Sequence, residues 1–167
     1  MAILFLMRDG FSEIKFLPAL QTHKSPDLIA KREQSQVTIE VKSINPSDVE
    51  VQARQNGTPR GTGQPLTEEF FSKLQATLTN AAKQLATQQC DEKMIFLFVH
   101  FDNILNEYIE NDLAQIKSWL SNHKMVADRY YIHTHSAFYY ASSLSAPPHL
   151  IVWPPENDGV AATPERW

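Results

Sequence analysis

Along Gln36-Val37-Thr38-Ile39-Glu40-Val41-Lys42 apolar and polar residues alternate with a period of two. A strand with that pattern turns Val37, Ile39 and Val41 to one side and Thr38, Glu40 and Lys42 to the other. Just upstream, Asp27-Leu28-Ile29-Ala30 is a second β-prone run, and the polar Lys31-Arg32-Glu33-Gln34-Ser35 between them predicts a hairpin turn. Such a hairpin sets Asp27 beside the Glu40 and Lys42 end of its partner strand.

The remaining periodicities place this hairpin in an α/β chain. Ala2 to Arg8 is apolar and Gly10 follows it as a stop signal, which predicts the end of a helix, short enough to be the last part of a longer one. Ser12 to Leu20 predicts a first strand leading to a turn around Pro18. The stretch from Ile44 to Pro65 holds three glycines and three prolines among polar residues, and predicts a long mobile loop over about 44–66. Thr67 is a helix cap, Glu68 and Glu69 suit the first turn, and Phe70, Phe71, Leu74, Leu78, Ala81, Ala82 and Leu85 form an apolar stripe to about Thr87. Lys93 to Phe101 is nearly all apolar, as in a strand buried on both faces. Leu105 to His123 predicts an amphipathic helix, Arg129 to Tyr140 a strand, and His149 to Trp153 a last short strand. The order α-β-β-β-α-β-α-β-β implies one α/β domain over residues 1–155, with a C-terminal tail at 156–167.

Size and charge narrow the picture only a little. The chain has 167 residues, 43% hydrophobic and 20% charged, ordinary values for one soluble globular domain. The lone Cys90 excludes an internal disulfide framework and fits a reducing compartment; it sits in a polar turn with no partner His or Asn in the sequence to make it a nucleophile. Ala2 to Met7 is too short for a membrane span and lacks the features of a signal peptide, so the chain reads as cytoplasmic with no membrane association. The net charge of −4 argues mildly against binding driven by phosphate neutralisation. Residues 1–64 carry eight Lys/Arg against seven Asp/Glu, however, and the remainder seven against twelve. The half with the hairpin is thus near neutral, and its basic residues would serve nucleic acid if they lined one groove.

Other residue groupings offer rival chemistry. His133 and His135 fall on one strand face, and His100 and Asp102 end another strand, which raises a mixed His/Asp metal site against a plain half-exposed sheet face. Tyr130, Tyr131, Phe138, Tyr139 and Tyr140 are candidates for base stacking, for core, or for a partner interface. Gly57, Gly61 and Gly63 lack the spacing of a phosphate-binding glycine loop.

The hairpin residues match the needs of phosphodiester hydrolysis best. That reaction requires an activated water, neutralisation of charge at phosphorus and help for the leaving oxygen, which one or two Mg²⁺ ions held by oxygen ligands supply. Asp27 and Glu40 offer carboxylates, the Val41 carbonyl a third oxygen, and Lys42 an ammonium to orient or deprotonate the water or to hold the phosphate. Pro26-Asp27 with Glu40-Val41-Lys42 resembles the signature of the PD-(D/E)XK nuclease superfamily, and the order helix, three-strand meander, helix, strand over about residues 1–101 resembles its common core. The resemblance implies a restriction-endonuclease-like fold, with a three-layer core and a mixed central sheet flanked by helices. It implies Mg²⁺ or Mn²⁺ at Asp27 and Glu40, a catalytic Lys42, and DNA as substrate. Arg54 and Arg60 of the loop would approach the phosphate backbone, Lys24, Lys31 and Arg32 would widen the basic surface, and Lys83 or Gln84 on the following helix would stand near substrate. One departure stands out: many members add a glutamate from the first helix, and Ala2–Gly10 offers only Asp9, with Glu13 in the next strand. The alternative is therefore an inactive member of the same fold, binding nucleic acid or protein, with the acidic, aromatic C-terminal half as a homodimer or partner interface.

Overall fold

The computed structural model describes residues 2–18, 25–45, 65–101, 106–136 and 149–155, with positions 48, 52, 55 and 56, and the backbone alone at 101, 106–110, 135, 136 and 149. The first helix, α1 (Ala2–Arg8), ends where Gly10 takes φ +81° and its amide donates to the Met7 carbonyl at 3.3 Å. A left-handed residue at that place closes the last turn and redirects the chain, which glycine does without a Cβ penalty. Strands β1 (Phe11–Phe16), β2 (Leu28–Arg32) and β3 (Ser35–Ile44) then form an antiparallel meander.

Two boundaries here differ from expectation. The hairpin turn is two residues, Glu33-Gln34, because Lys31 and Arg32 stay in β2 opposite Gln36 and Ser35. Lys31 is exposed, and an antiparallel strand near a sheet edge accepts charged residues without leaving the ladder. β1 stops at Phe16 because β2 supplies no residue beyond Leu28 to pair with; the Leu17 amide closes the ladder on the Asp27 carbonyl at 2.9 Å.

After β3 the chain passes to α2 (Glu68–Leu85), capped by Thr67, whose hydroxyl accepts from the Phe70 amide at 3.2 Å. It continues through β4 (Glu92–Phe101), α3 (Asn106–Ser121), β5 (Arg129–Ser136) and β6 (His149–Trp153). Most of the expected long loop lies outside the described residues. At three described positions in it, Asp48, Gln52 and Gln55, the backbone is helical, and the Asn56 amide donates to the Gln52 carbonyl at 3.0 Å. These positions fall in Ser47 to Asn56, a stretch whose sequence lacks both Gly and Pro.

The chain is an α/β protein, a six-stranded mixed sheet in the order β1-β2-β3-β4-β5-β6 with three helices packed against it. β3, β4 and β5 are parallel, and β6 is antiparallel to β5. Each parallel pair begins with the same reciprocal contact. The Gln36 amide donates to Asp91 Oδ2 while the Asp91 amide donates to the Gln36 carbonyl, and Lys93 and Asp128 repeat the pattern between β4 and β5. An aspartate just before the incoming strand thereby fixes the register.

The two sheet faces carry separate cores. Leu74, Leu78, Ala81 and Leu85 of α2 and Leu113, Ile116 and Leu120 of α3 pack over Ile44, Ile95, Leu97, Val99, Tyr130 and Ile132. On the other face Phe5 and Leu6 of α1 pack with Phe11, Leu28, Ala30, Val37, Ile39, Met94, Phe96 and Tyr131. No helix among the described residues is long and apolar enough to cross a membrane.

Candidate functional site

The alternation of β3 sends Val37 and Ile39 into the α1-side core and leaves Thr38, Glu40 and Lys42 on the side that α2 covers. Asp27 immediately precedes β2, whose Leu28 is paired with Ile39, so it stands beside the carboxyl-terminal half of β3. Its Oδ2 accepts the Val41 amide at 2.8 Å. Because the N–H and C=O of one strand residue point to the same edge, the Val41 carbonyl faces the Asp27 side as well. The site therefore lies at the carboxyl end of β3, the end at which open α/β sheets commonly receive ligands.

Glu40 is fully buried. Its Oε1 accepts from Lys42 Nζ, and the same ammonium donates to Gln84 Oε1 of α2 at 2.6 Å. Gln84 Nε2 in turn donates to the Ser25 carbonyl at 3.3 Å, two residues before Asp27. Burial pushes the Glu40 pKa up, and the charge of Asp27 adds to this; the hydrogen bond and charge of Lys42, and least of all the Asp27 amide, which makes no hydrogen bond of ordinary geometry to Glu40 Oε2, oppose it without cancelling it. Glu40 Oε2 is buried with no hydrogen-bond partner among the described residues. A buried carboxylate oxygen left without a donor is uncommon in folded proteins and fits a cation ligand.

Asp27, Glu40, Val41, Lys42 and Gln84 thus come together. Lys83, one residue from Gln84, is exposed. Arg54, Arg60 and Lys24 lie outside the described residues. Lys31 and Arg32 do not flank the site. They sit at the turn end of the hairpin, with Lys31 about 13 Å along the strand from Asp27. There Lys31 pairs with Glu13 at 2.8 Å and Arg32 lies over the Phe11 ring at 5.5 Å. Neither of the two acids near the first helix, Asp9 and Glu13, reaches the site. Asp9 accepts from the Tyr131 hydroxyl on the α1 face, and Glu13 is committed to Lys31.

The oxygens that could hold a metal here are two carboxylates and one backbone carbonyl, and no group of three or more His, Cys, Asp and Glu side chains gathers among the described residues. Two carboxylates fit Mg²⁺ or Mn²⁺, which keep waters and take further oxygens from a phosphate, better than an all-protein cage for Ca²⁺.

The rival groupings resolve differently. His133 is buried, not half-exposed, because Phe5 of α1 lies 5.1 Å from its ring and Phe98 5.4 Å. The side chains of His135 and Asp102 are outside the described residues, as are Phe138, Tyr139 and Tyr140. Tyr130 and Tyr131 are core residues on opposite faces of the sheet, so neither is free to stack on bases. A recess of about 220 Å³ between α2 and α3, lined by Gln75, Thr79, Trp119 and His123 among others, lies apart from the carboxylates.

The link from Ser25 through Gln84 to Lys42 does not follow from the sequence pattern. The available signal was Gln84 at the rim of the α2 stripe, three residues after buried Ala81 and one before buried Leu85. No protein-family model matches the chain, and no curated protein or solved structure matches it significantly.

Proposed function

We propose that this chain is a Mg²⁺- or Mn²⁺-dependent nuclease of the restriction-endonuclease-like fold that hydrolyses DNA phosphodiester bonds. The observation that carries the reading is a fully buried Glu40, one oxygen on Lys42 and the other without a partner among the described residues, beside the Asp27 carboxylate. The order helix, three-strand meander, helix, strand around it also supports the reading. Asp27, Glu40 and the Val41 carbonyl would hold the cation, whose chemistry is to activate water and to neutralise charge at phosphorus. Lys42 supplies an ammonium on the same strand face, one-quarter exposed, to orient the attacking water or to contact the phosphate. Val41 and Gln84 fix the two side chains through hydrogen bonds to Asp27 and Lys42.

A second reading, a noncatalytic binding module of the same fold, is favoured by the commitment of Asp9 to Tyr131, which leaves the site with two carboxylates. The two are separated by cleavage of plasmid, single-stranded and branched DNA with Mg²⁺ or Mn²⁺. Lys42→Ala and Asp27→Ala are expected to lose activity by about 100-fold or more. A wild type that cuts nothing, or variants that cut equally well, would leave only the binding module.

A further inference from the structure

The Lys42 ammonium has two acceptors in different parts of the fold, Glu40 Oε1 on its own strand face and Gln84 Oε1 on α2. Glu40 is fully buried whereas the Lys42 side chain is 25% exposed, so the lysine is the partner with room to move. A buried carboxylate requires a counter-charge, and here Lys42 provides it. A divalent cation on Glu40 would provide the same counter-charge, and two cations at one carboxylate repel each other. Gln84 stands outside this competition. It is neutral, and its amide nitrogen is anchored separately on the Ser25 carbonyl, so its acceptor keeps its place whatever Glu40 binds.

Building on the nuclease reading, we propose that Lys42 is the resident cation of the site, that a divalent metal displaces it from Glu40, and that Gln84 is the positioning residue that then retains the ammonium beside the metal. The lysine charge opposes metal entry, while Gln84 matters only once the metal is in place. Metal affinity and cleavage should therefore respond to different side chains.

The test is Mn²⁺ binding to the whole chain, followed by calorimetry or by loss of the free-ion paramagnetic signal, alongside cleavage rates. Lys42→Ala and Lys42→Gln are expected to tighten Mn²⁺ binding roughly tenfold while losing cleavage, and the charge-preserving Lys42→Arg to stay within about twofold of wild type. Gln84→Ala and the similarly shaped Gln84→Met are expected to keep Mn²⁺ affinity within about twofold and to lose cleavage roughly tenfold. Circular dichroism of each variant checks that the fold is intact, and using two substitutions at each position guards against one that is not. If wild type binds Mn²⁺ and both neutral lysine variants bind it no more tightly, displacement is overturned while the nuclease reading stands. If the Gln84 variants weaken Mn²⁺ binding, or cleave at the wild-type rate, retention is overturned. If neither wild type nor the lysine variants bind Mn²⁺, the nuclease reading itself falls, and the proposal with it.

Discussion

β3 and β4 are each ten residues long and run parallel, paired from Val37 opposite Glu92 to Ile44 opposite Val99. On the face covered by α2, β4 presents Ile95, Leu97 and Val99, while β3 presents Thr38, Glu40 and Lys42. Glu40 is paired with Ile95 and Lys42 with Leu97, so two neighbouring strands meet similar surroundings with opposite chemistry. Aliphatic residues at the β3 positions would serve the core better, since removing a carboxylate from water costs more than its partners return. β4 is what the fold needs for stability, and β3 departs from that pattern at the residues that bear the candidate chemistry.

The largest effect that tests this contrast is on the β4 side. Leu97 is fully buried among the α2 and α3 residues, and Leu97→Ala is expected to destabilise the protein by about 2–5 kcal/mol through lost burial and the cavity left behind. Chemical denaturation with an unchanged m-value measures it. A loss under about 1 kcal/mol would mean that β4 is no more a core strand than β3, and the comparison would fail.

Glu40→Gln on β3 should move the other way. Burial raises the Glu40 pKa, so the folded chain holds that proton more tightly than the unfolded chain does. Stability is therefore fully present below the ordinary glutamate range and is lost as pH rises through the raised value. The amide variant has no such loss. It is expected to match wild type in acid and to exceed it by about 1–2 kcal/mol above that window, with cleavage abolished. Thermal melts across pH decide this. A variant less stable than wild type at neutral pH would make Glu40 a structural residue paired with Lys42, and would remove the main argument for a functional site.

The same contrast explains how far the sequence could be read. The strand alternation, the hairpin and the aliphatic run of β4 are local patterns, legible because side-chain direction follows from spacing alone. The meeting of Asp27 with Val41 spans only 14 residues and follows from the hairpin. Gln84 meets Lys42 across 42 residues and Ser25 across 59, and Asp9 meets Tyr131 across 122. Those contacts depend on how α2 and α1 settle on the sheet, which no local pattern encodes. Full burial of Glu40 is of the same kind. Alternation put it on the polar face, and only the helix above makes that face an interior.

The smallest effect separates the helix as support from the helix as part of the site. Thr67 caps α2 at one end, and Gln84 lies at the other, about 25 Å away along the axis. Thr67→Ala frees the Phe70 amide and is expected to cost about 1 kcal/mol in overall stability. Because the last turn is held independently by its packing over β3 and β4 and by the contacts of Gln84 with Lys42 and Ser25, Mn²⁺ affinity should not change. Denaturation and metal titration of the same variant measure both quantities. A change in affinity along with stability would mean that the site follows the whole helix, and that its geometry is set by the packing of α2 rather than by the β2–β3 hairpin.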